Sequence, residues 1–189
     1  MPPRIIAFAD AENLVLRFQD MVKAGKVPKQ DTVYVPDLLV WHPDISTNFL
    51  CDIVRINFYQ TVVGDEQKVD ESRRRISEVS YRYRSLIDEG DTESSGTLRL
   101  RVFKKEAEST KTKSVDINLT VDALRHSLDP RIDAVLLLSG DGDYLPLLRE
   151  IANRGKQVWL AAFSSGLNKH LQFEADEFID LDALAFAEA

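Results

Sequence analysis

The sequence predicts an α/β fold with a central, mainly parallel sheet. Runs at 4–9, 132–138 and 157–162 are short and largely apolar, and Asp or Ser-Gly-Asp closes the first two. Such runs are typical of strands buried on both faces of a parallel sheet. Helical patterns lie between them, and alternating strands and helices indicate an open α/β sheet. With 189 residues, we predict one domain over residues 1–189, large enough to bury a core.

The first half of the chain contains three predicted strands, a helix and a turn. Residues 4–9 form the first strand, and 53–62 form the second. The charged segment 66–87 carries apolar residues at helical spacing and predicts one long helix. A polar turn is expected at 90–96. Apolar and polar residues alternate with a period of two over 97–103, which predicts a strand with one solvent-exposed face.

The second half follows the strand and helix alternation more regularly. A polar, charge-rich loop at 104–113 precedes a predicted helix at 114–128. After the strand at 132–138, apolar residues at 145–152 recur at helical spacing and stop at Gly155, a natural helix end. The strand at 157–162 follows, and a weaker apolar run at 178–181 predicts the last strand.

Composition and charge exclude several classes of protein. The chain has no apolar run of about 18 residues and a lone cysteine, Cys51, so we expect no membrane span and no internal disulfide. A soluble, cytoplasmic protein is expected, with Cys51 used for packing. The net charge of -7 argues against a nucleic-acid partner only if it is evenly spread. Residues 67–126 contain 13 Lys and Arg against 11 Asp and Glu, so the middle is slightly basic.

Acidic side chains follow two of the predicted strands. Asp10 closes the first strand, Asp141 and Asp143 follow the strand at 132–138, and Asp116 lies in the first turn of the preceding helix. Ligands of open α/β sheets bind at the carboxyl ends of the strands, and clustered carboxylates require a cation to offset their repulsion. An all-oxygen set suits Mg²⁺ and metal-assisted phosphodiester hydrolysis. The alternative is that Asp10 and Asp141 only cap the helices that follow them.

These acidic segments resemble motifs of the NYN family, a branch of the PIN-like nuclease superfamily. The matching segments are Phe-Ala-Asp-Ala-Glu-Asn-Leu at 8–14, Lys-Ser-Val-Asp at 113–116 and Ser-Gly-Asp-Gly-Asp-Tyr at 139–144. The resemblance implies a PIN-like three-layer α/β/α fold with a central, mainly parallel sheet. The middle section at about 28–110 is polar and resembles the family less than the rest of the chain does.

The resemblance also implies a Mg²⁺- or Mn²⁺-dependent ribonuclease site. By position, the residues that it implicates are Asp10, Asp116 and Asp141 as metal ligands, Asp143 as a fourth acid, Asn13 as an orienting group and Ser139 as a support of the same edge. Lys113, three residues before Asp116, is expected to help hold the substrate phosphate. Other candidate cations are the arginines at 73–75 and the lysines at 104–105.

The first hypothesis is therefore hydrolysis of single-stranded RNA, with RNA as the partner and no membrane association. The second is a non-catalytic regulatory or binding module that keeps the acidic pocket and acts through a protein or nucleotide partner. A phosphatase-like protein is a weaker third reading, because no Asp-x-Asp pair follows the first strand. The sequence leaves a homodimer open.

Overall fold

The computed structural model describes residues 2–45, 47, 49–87, 90–105 and 114–187. Its strands are β1 (Arg4–Asp10), β2 (Val33–Val35), β3 (Leu39–Trp41), β4 (Asp52–Val63), β5 (Ser80–Ile87), β6 (Gly90–Thr97), β7 (Arg99–Lys105), β8 (Ala134–Leu138), β9 (Gln157–Ala162) and β10 (Glu177–Asp180). Its helices are α1 (Ala11–Lys23), α2 (Glu66–Ser77), α3 (Ser114–Ser127), α4 (Leu145–Asn153), α5 (Lys169–Glu174) and α6 (Leu181–Ala185).

A six-stranded sheet forms the centre, in the order β10-β9-β8-β1-β4-β7. Every pair of neighbouring strands in it is parallel. The chain runs outward from β1 through β4 to β7, and then returns to place β8 on the other side of β1. Strand order therefore reverses beside β1, which is where ligands of open α/β sheets bind. The predicted three-layer α/β/α fold with a mainly parallel sheet is confirmed.

Strand β1 is buried on both faces because the side chains of a strand alternate between them. Ala7 and Ala9 belong to the apolar cluster that includes the buried face of α1. Ile6 and Phe8 belong to a second cluster, built with residues of α3 and α4. The helices on the two faces thus cover the sheet and hold the end of β1 at a fixed position.

The long helix predicted at 66–87 is wrong in its second half. Helix α2 ends at Ser77, and the chain continues as β5, which pairs antiparallel with β6 in a separate hairpin. The polar turn predicted at 90–96 is wrong as well, since those residues lie in β6. The buried ring of Tyr81 alternates with the exposed side chain of Arg82, and that period of two favours a strand.

The rest of the middle section also departs from the predicted pattern. Strands β2 and β3 form a small antiparallel sheet that the sequence did not predict. Strand β7 runs to Lys105, so the first two residues of the loop predicted at 104–113 belong to a strand. Residues 106–113 of that loop lie outside the described residues. Cys51 is buried, and burial raises the pKa of its thiol to about 11, as expected for a packing residue.

None of the helices in the described part of the chain is long and apolar enough to cross a membrane.

Candidate active site

Asp10 lies at the carboxyl end of β1, where the strand order reverses. Its side chain is only 4% exposed. Its Oδ1 accepts a hydrogen bond from the backbone N–H of Asn13 at 3.1 Å, so Asp10 is the N-cap of α1. The capping role weighed in the sequence analysis is therefore present, and it uses one carboxylate oxygen. The second oxygen, Oδ2, faces residues from other elements.

Two hydroxyl groups contact this second oxygen of Asp10. The Ser139 hydroxyl, just after β8, donates to Oδ2 at 3.3 Å. The Tyr144 hydroxyl lies 3.2 Å from the same oxygen and 3.3 Å from Oδ1 of Asp116 in the first turn of α3. Tyr144 therefore joins two of the predicted acids across the switch in strand order. This contact was not predicted from the sequence, although the tyrosine closes the Ser-Gly-Asp-Gly-Asp-Tyr segment.

The charge of the Asp10 carboxylate is poorly compensated. Burial, together with the nearby carboxylates of Asp116 and Glu12, raises its pKa to about 7, against the lowering effect of the hydrogen bonds from Asn13 and Tyr144. The single hydrogen of the Tyr144 hydroxyl cannot be donated to Asp10 and Asp116 at once. Both contacts are hydrogen bonds at the same time only when one of the two carboxyl groups is protonated and donates to the hydroxyl oxygen.

Asp141 and Asn13 fix the loop that follows β8. The Asp141 side chain accepts from the backbone N–H of Asp143 at 3.0 Å and caps the short 3-10 turn Gly142–Tyr144. The backbone N–H of Asp141 donates to the Ser139 hydroxyl at 3.2 Å. Oδ1 of Asn13 accepts from the backbone N–H of Gly140 at 3.0 Å. These contacts make Asn13 a positioning residue that connects α1 to this loop.

The predicted acids are brought together to different degrees. Asp10 and Asp116 share Tyr144, whereas Asp141 is connected to Asp10 through Ser139. Asp143 is exposed. Lys113, the predicted phosphate-binding residue, lies outside the described residues.

The oxygen ligands at this site fit a metal ion only in part. Among the described residues, no group of three or more His, Cys, Asp or Glu side chains could hold a metal ion, so the predicted trio of ligands is not assembled there. Asp10 and Asp116 alone still fit Mg²⁺, which usually takes one or two carboxylates and completes its octahedral shell with water and phosphate oxygens. Their uncompensated charge is what such an ion would neutralise.

Removing the Tyr144 hydroxyl is expected to weaken metal binding by Asp10 and Asp116 without unfolding the protein. In Tyr144→Phe the buried ring stays, but the hydrogen bond that lowers the pKa of Asp10 is lost. We expect Mn²⁺ affinity to fall about 10- to 100-fold, as is typical when a group supporting metal ligands is removed. A thermal-shift titration with Mn²⁺ measures this affinity in the wild type and in the variant.

Tyr59→Phe is the matched control, since the buried Tyr59 hydroxyl donates to Asp122 at 2.8 Å. Equal Mn²⁺ affinities of the two variants would contradict a role for Tyr144 at the site.

Comparisons with known proteins agree with this fold and leave its chemistry open. The sequence model of the NYN domain matches residues 4–182. Over 67 residues the chain is 34% identical to the uncharacterized protein MJ0482 of Methanocaldococcus jannaschii, a match that covers 35% of this chain and 28% of that relative. The crystal structure of VPA0982, a protein of unknown function from Vibrio parahaemolyticus, superposes with a TM-score of 0.61 at 16% identity. It covers 98% of this chain and 97% of its own, and at that identity the likeness concerns the fold alone.

Proposed function

The chain belongs to the NYN domain family of the PIN-like nuclease superfamily, and from that premise we propose that it is a metal-dependent ribonuclease acting on single-stranded RNA. One observation carries the proposal. The buried carboxylate of Asp10 lies at the switch in strand order, with Asp116 as its partner and with a pKa raised to about 7. A carboxylate so perturbed in such a position is typical of functional sites.

In this proposal Asp10 and Asp116 hold Mg²⁺ or Mn²⁺. Asp141 is not assembled with them among the described residues, so its proposed role as the third ligand requires its carboxylate to move when the ion binds. When bound, such an ion activates water and neutralises charge that develops on a phosphodiester. Asp143 is the fourth acid of the proposal, and its exposure gives it access to solvent and substrate. Lys113 remains the proposed phosphate contact.

The remaining side chains of the site position the ligands. Tyr144 and Ser139 orient Oδ2 of Asp10 through their hydroxyl groups. Asn13 holds the Gly140 backbone, and thereby the loop that carries Asp141. Because Asp10 also caps α1, its carboxylate cannot turn away from the site without breaking the cap. This rigidity is what a preorganised site needs.

Cleavage of labelled single-stranded RNA tests the proposal. The purified protein is incubated with the RNA in Mg²⁺, in Mn²⁺ and in EDTA, beside Asp116→Asn and Asp141→Asn. We expect cleavage only with a divalent ion, and a loss of about a hundredfold in Asp116→Asn. Asp20→Asn is the control, because Asp20 lies near the far end of α1. Cleavage in EDTA, or equal rates in all variants, would overturn the proposal.

A second function is favoured by one observation. No group of three metal-ligating side chains is assembled among the described residues, which suits a non-catalytic regulatory or binding module acting through a protein or nucleotide partner. The same assay separates the two. Absence of cleavage by the wild type in either metal, with RNA binding retained, would favour the binding module. We propose a cytoplasmic location for the protein under either function.

A further inference from the structure

Strand β4 is longer than its neighbour β1, and this difference leaves a recess beside Asp10. β1 ends at Asp10, which pairs with Tyr59. β4 continues from there to Val63, paired on its other side with β7 as far as Lys105. Along residues 60–63, the edge of β4 that faces β1 is therefore not paired with β1. The loop before β3 lies nearby, since the Gln60 amide donates to the Leu38 carbonyl at 2.7 Å.

Two cavities occupy this recess and share part of their walls. One, of about 260 Å³, is lined by Glu12, Thr61 and Lys105 among others. The other, of about 400 Å³, is lined by Thr61, Lys68 and Arg75 among others. Thr61 lines both cavities. We call them together the β4 groove, which runs from Glu12, whose charge acts on Asp10, to Lys68 on α2.

Two of the three acidic side chains that line the β4 groove are already engaged, whereas Glu12 and two of the lysines form no ion pair in the described part of the chain. Glu71 pairs with Arg75 at 2.9 Å, and Asp37 accepts from the Gln19 amide at 3.0 Å. In the described part of the chain, neither Lys68 nor Lys105 forms an ion pair. Two ammonium groups are thus available to an anionic ligand.

A polar atom in the wall of the groove also lacks a partner. The Oγ1 atom of Thr61 is buried and makes no hydrogen bond within the described residues. An unsatisfied buried hydroxyl is destabilising, so its presence in the groove wall is unusual unless a ligand uses it. Thr61 shares one cavity with Lys105 of β7 and the other with Lys68 of α2. Because its Oγ1 atom is buried, the hydroxyl reaches a ligand oxygen only after the Thr61 side chain rotates toward the groove.

We infer that the β4 groove binds the phosphate backbone of single-stranded RNA next to the bond that is cut at Asp10. This inference rests on the proposed function. Lys105 and Lys68 each neutralise one phosphate, and the Thr61 hydroxyl donates to a phosphate or ribose oxygen between them. The groove offers charge and hydrogen bonding without an aromatic platform among its described lining residues. Binding there is therefore independent of base sequence.

Fluorescence anisotropy with a labelled 12-nucleotide oligouridylate tests the groove. Binding is measured in EDTA, so that cleavage does not interfere, for the wild type, Lys68→Gln and Lys105→Gln. We expect each variant to bind about 3- to 10-fold more weakly at low salt. The slope of log affinity against log salt is expected to become shallower by about 0.7, the value for one lost phosphate contact on a single strand.

Two further variants separate binding from structure. Lys23→Gln removes the same charge from the last turn of α1, at a residue that lines neither cavity, and is expected to bind RNA like the wild type. Thr61→Val keeps the shape and removes the unpaired hydroxyl. It is expected to weaken RNA binding without lowering the melting temperature.

The outcomes distinguish this inference from the proposed function. If Lys68→Gln and Lys105→Gln bind as tightly as Lys23→Gln, or if the wild type does not bind the oligouridylate, the groove is not the RNA site. Metal-dependent cleavage by the wild type would then still support the proposed function. If the wild type cleaves no RNA, but its RNA binding depends on both lysines, the inferred role of the groove is supported and the nuclease proposal is contradicted.

Discussion

Substituting Asp10 by Asn is expected to abolish metal-dependent RNA cleavage, a loss of about a hundredfold or more, in a protein that remains folded. The amide has the shape of the carboxylate, and its oxygen can still accept from the backbone N–H of Asn13, so the cap of α1 is kept. The negative charge that would hold a divalent ion beside Asp116 is lost. Removing one preorganised electrostatic group from a catalytic site costs about 10²- to 10³-fold.

The experiment compares initial cleavage rates in Mn²⁺ for the wild type, Asp10→Asn and Asp180→Asn. Asp180 is a matched control, because it also ends a strand of the parallel sheet and caps the following helix, accepting from Asp182 N–H at 2.8 Å. Asp180→Asn is expected to cleave like the wild type. Cleavage by Asp10→Asn within threefold of the Asp180→Asn rate would remove Asp10 from the proposed site.

The segments that form the central strands and the position of Asp10 could be predicted from the sequence because both depend on local patterns. Continuous apolar runs specify strands buried on two faces, and β1, β8 and β9 lie close to their predicted bounds. An Asp directly after such a strand must lie at the carboxyl edge of the sheet, whatever the remaining chain does. The family resemblance agreed with this placement.

The hairpin of β5 and β6 could not be predicted in the same way. Val69 and Ile76 are buried at helical spacing in α2, and the charged residues that follow fit a helix as well as a strand. What decides the outcome is pairing with a distant segment, in which a Cβ on Gly96 would meet the Tyr81 hydroxyl at 2.5 Å. A contact of this kind leaves no local signal in the sequence.

The contact between Tyr144 and the two acids was missed for a related reason. The side chain is buried, and an aromatic residue at a helix start is usually a core residue. Its hydroxyl reaches Asp10 and Asp116 only because β1, α3 and the loop after β8 meet at the switch in strand order. The positions of Asp10 and Asp116 along the chain predict that they belong to the site. The contact of Tyr144 with both of them depends on how distant segments pack together.

In metal-free buffer, the stability that Asp10 contributes is expected to fall as the pH rises from about 4 to about 7. The pKa of Asp10 is raised from 3.8 to about 7 by burial and by the neighbouring carboxylates. Between these values the folded protein holds a proton that the unfolded chain has released, so the free energy of unfolding decreases with pH. At about 1.4 kcal/mol per pKa unit, the upper limit is about 4 kcal/mol above pH 7.

Chemical denaturation of the wild type and Asp10→Asn in EDTA, at several values between pH 4 and pH 8, measures this effect. The difference between the two proteins isolates Asp10, because other titrating groups such as His42 and His126, whose pKa values burial lowers, act on both. We expect Asp10→Asn to be the more stable protein at pH 8 and to lose that advantage toward pH 4. Mn²⁺ at pH 8 is expected to stabilise only the wild type, since the ion replaces the missing proton. Parallel stability curves would mean that the Asp10 carboxylate is already compensated, and that no cation is needed beside it.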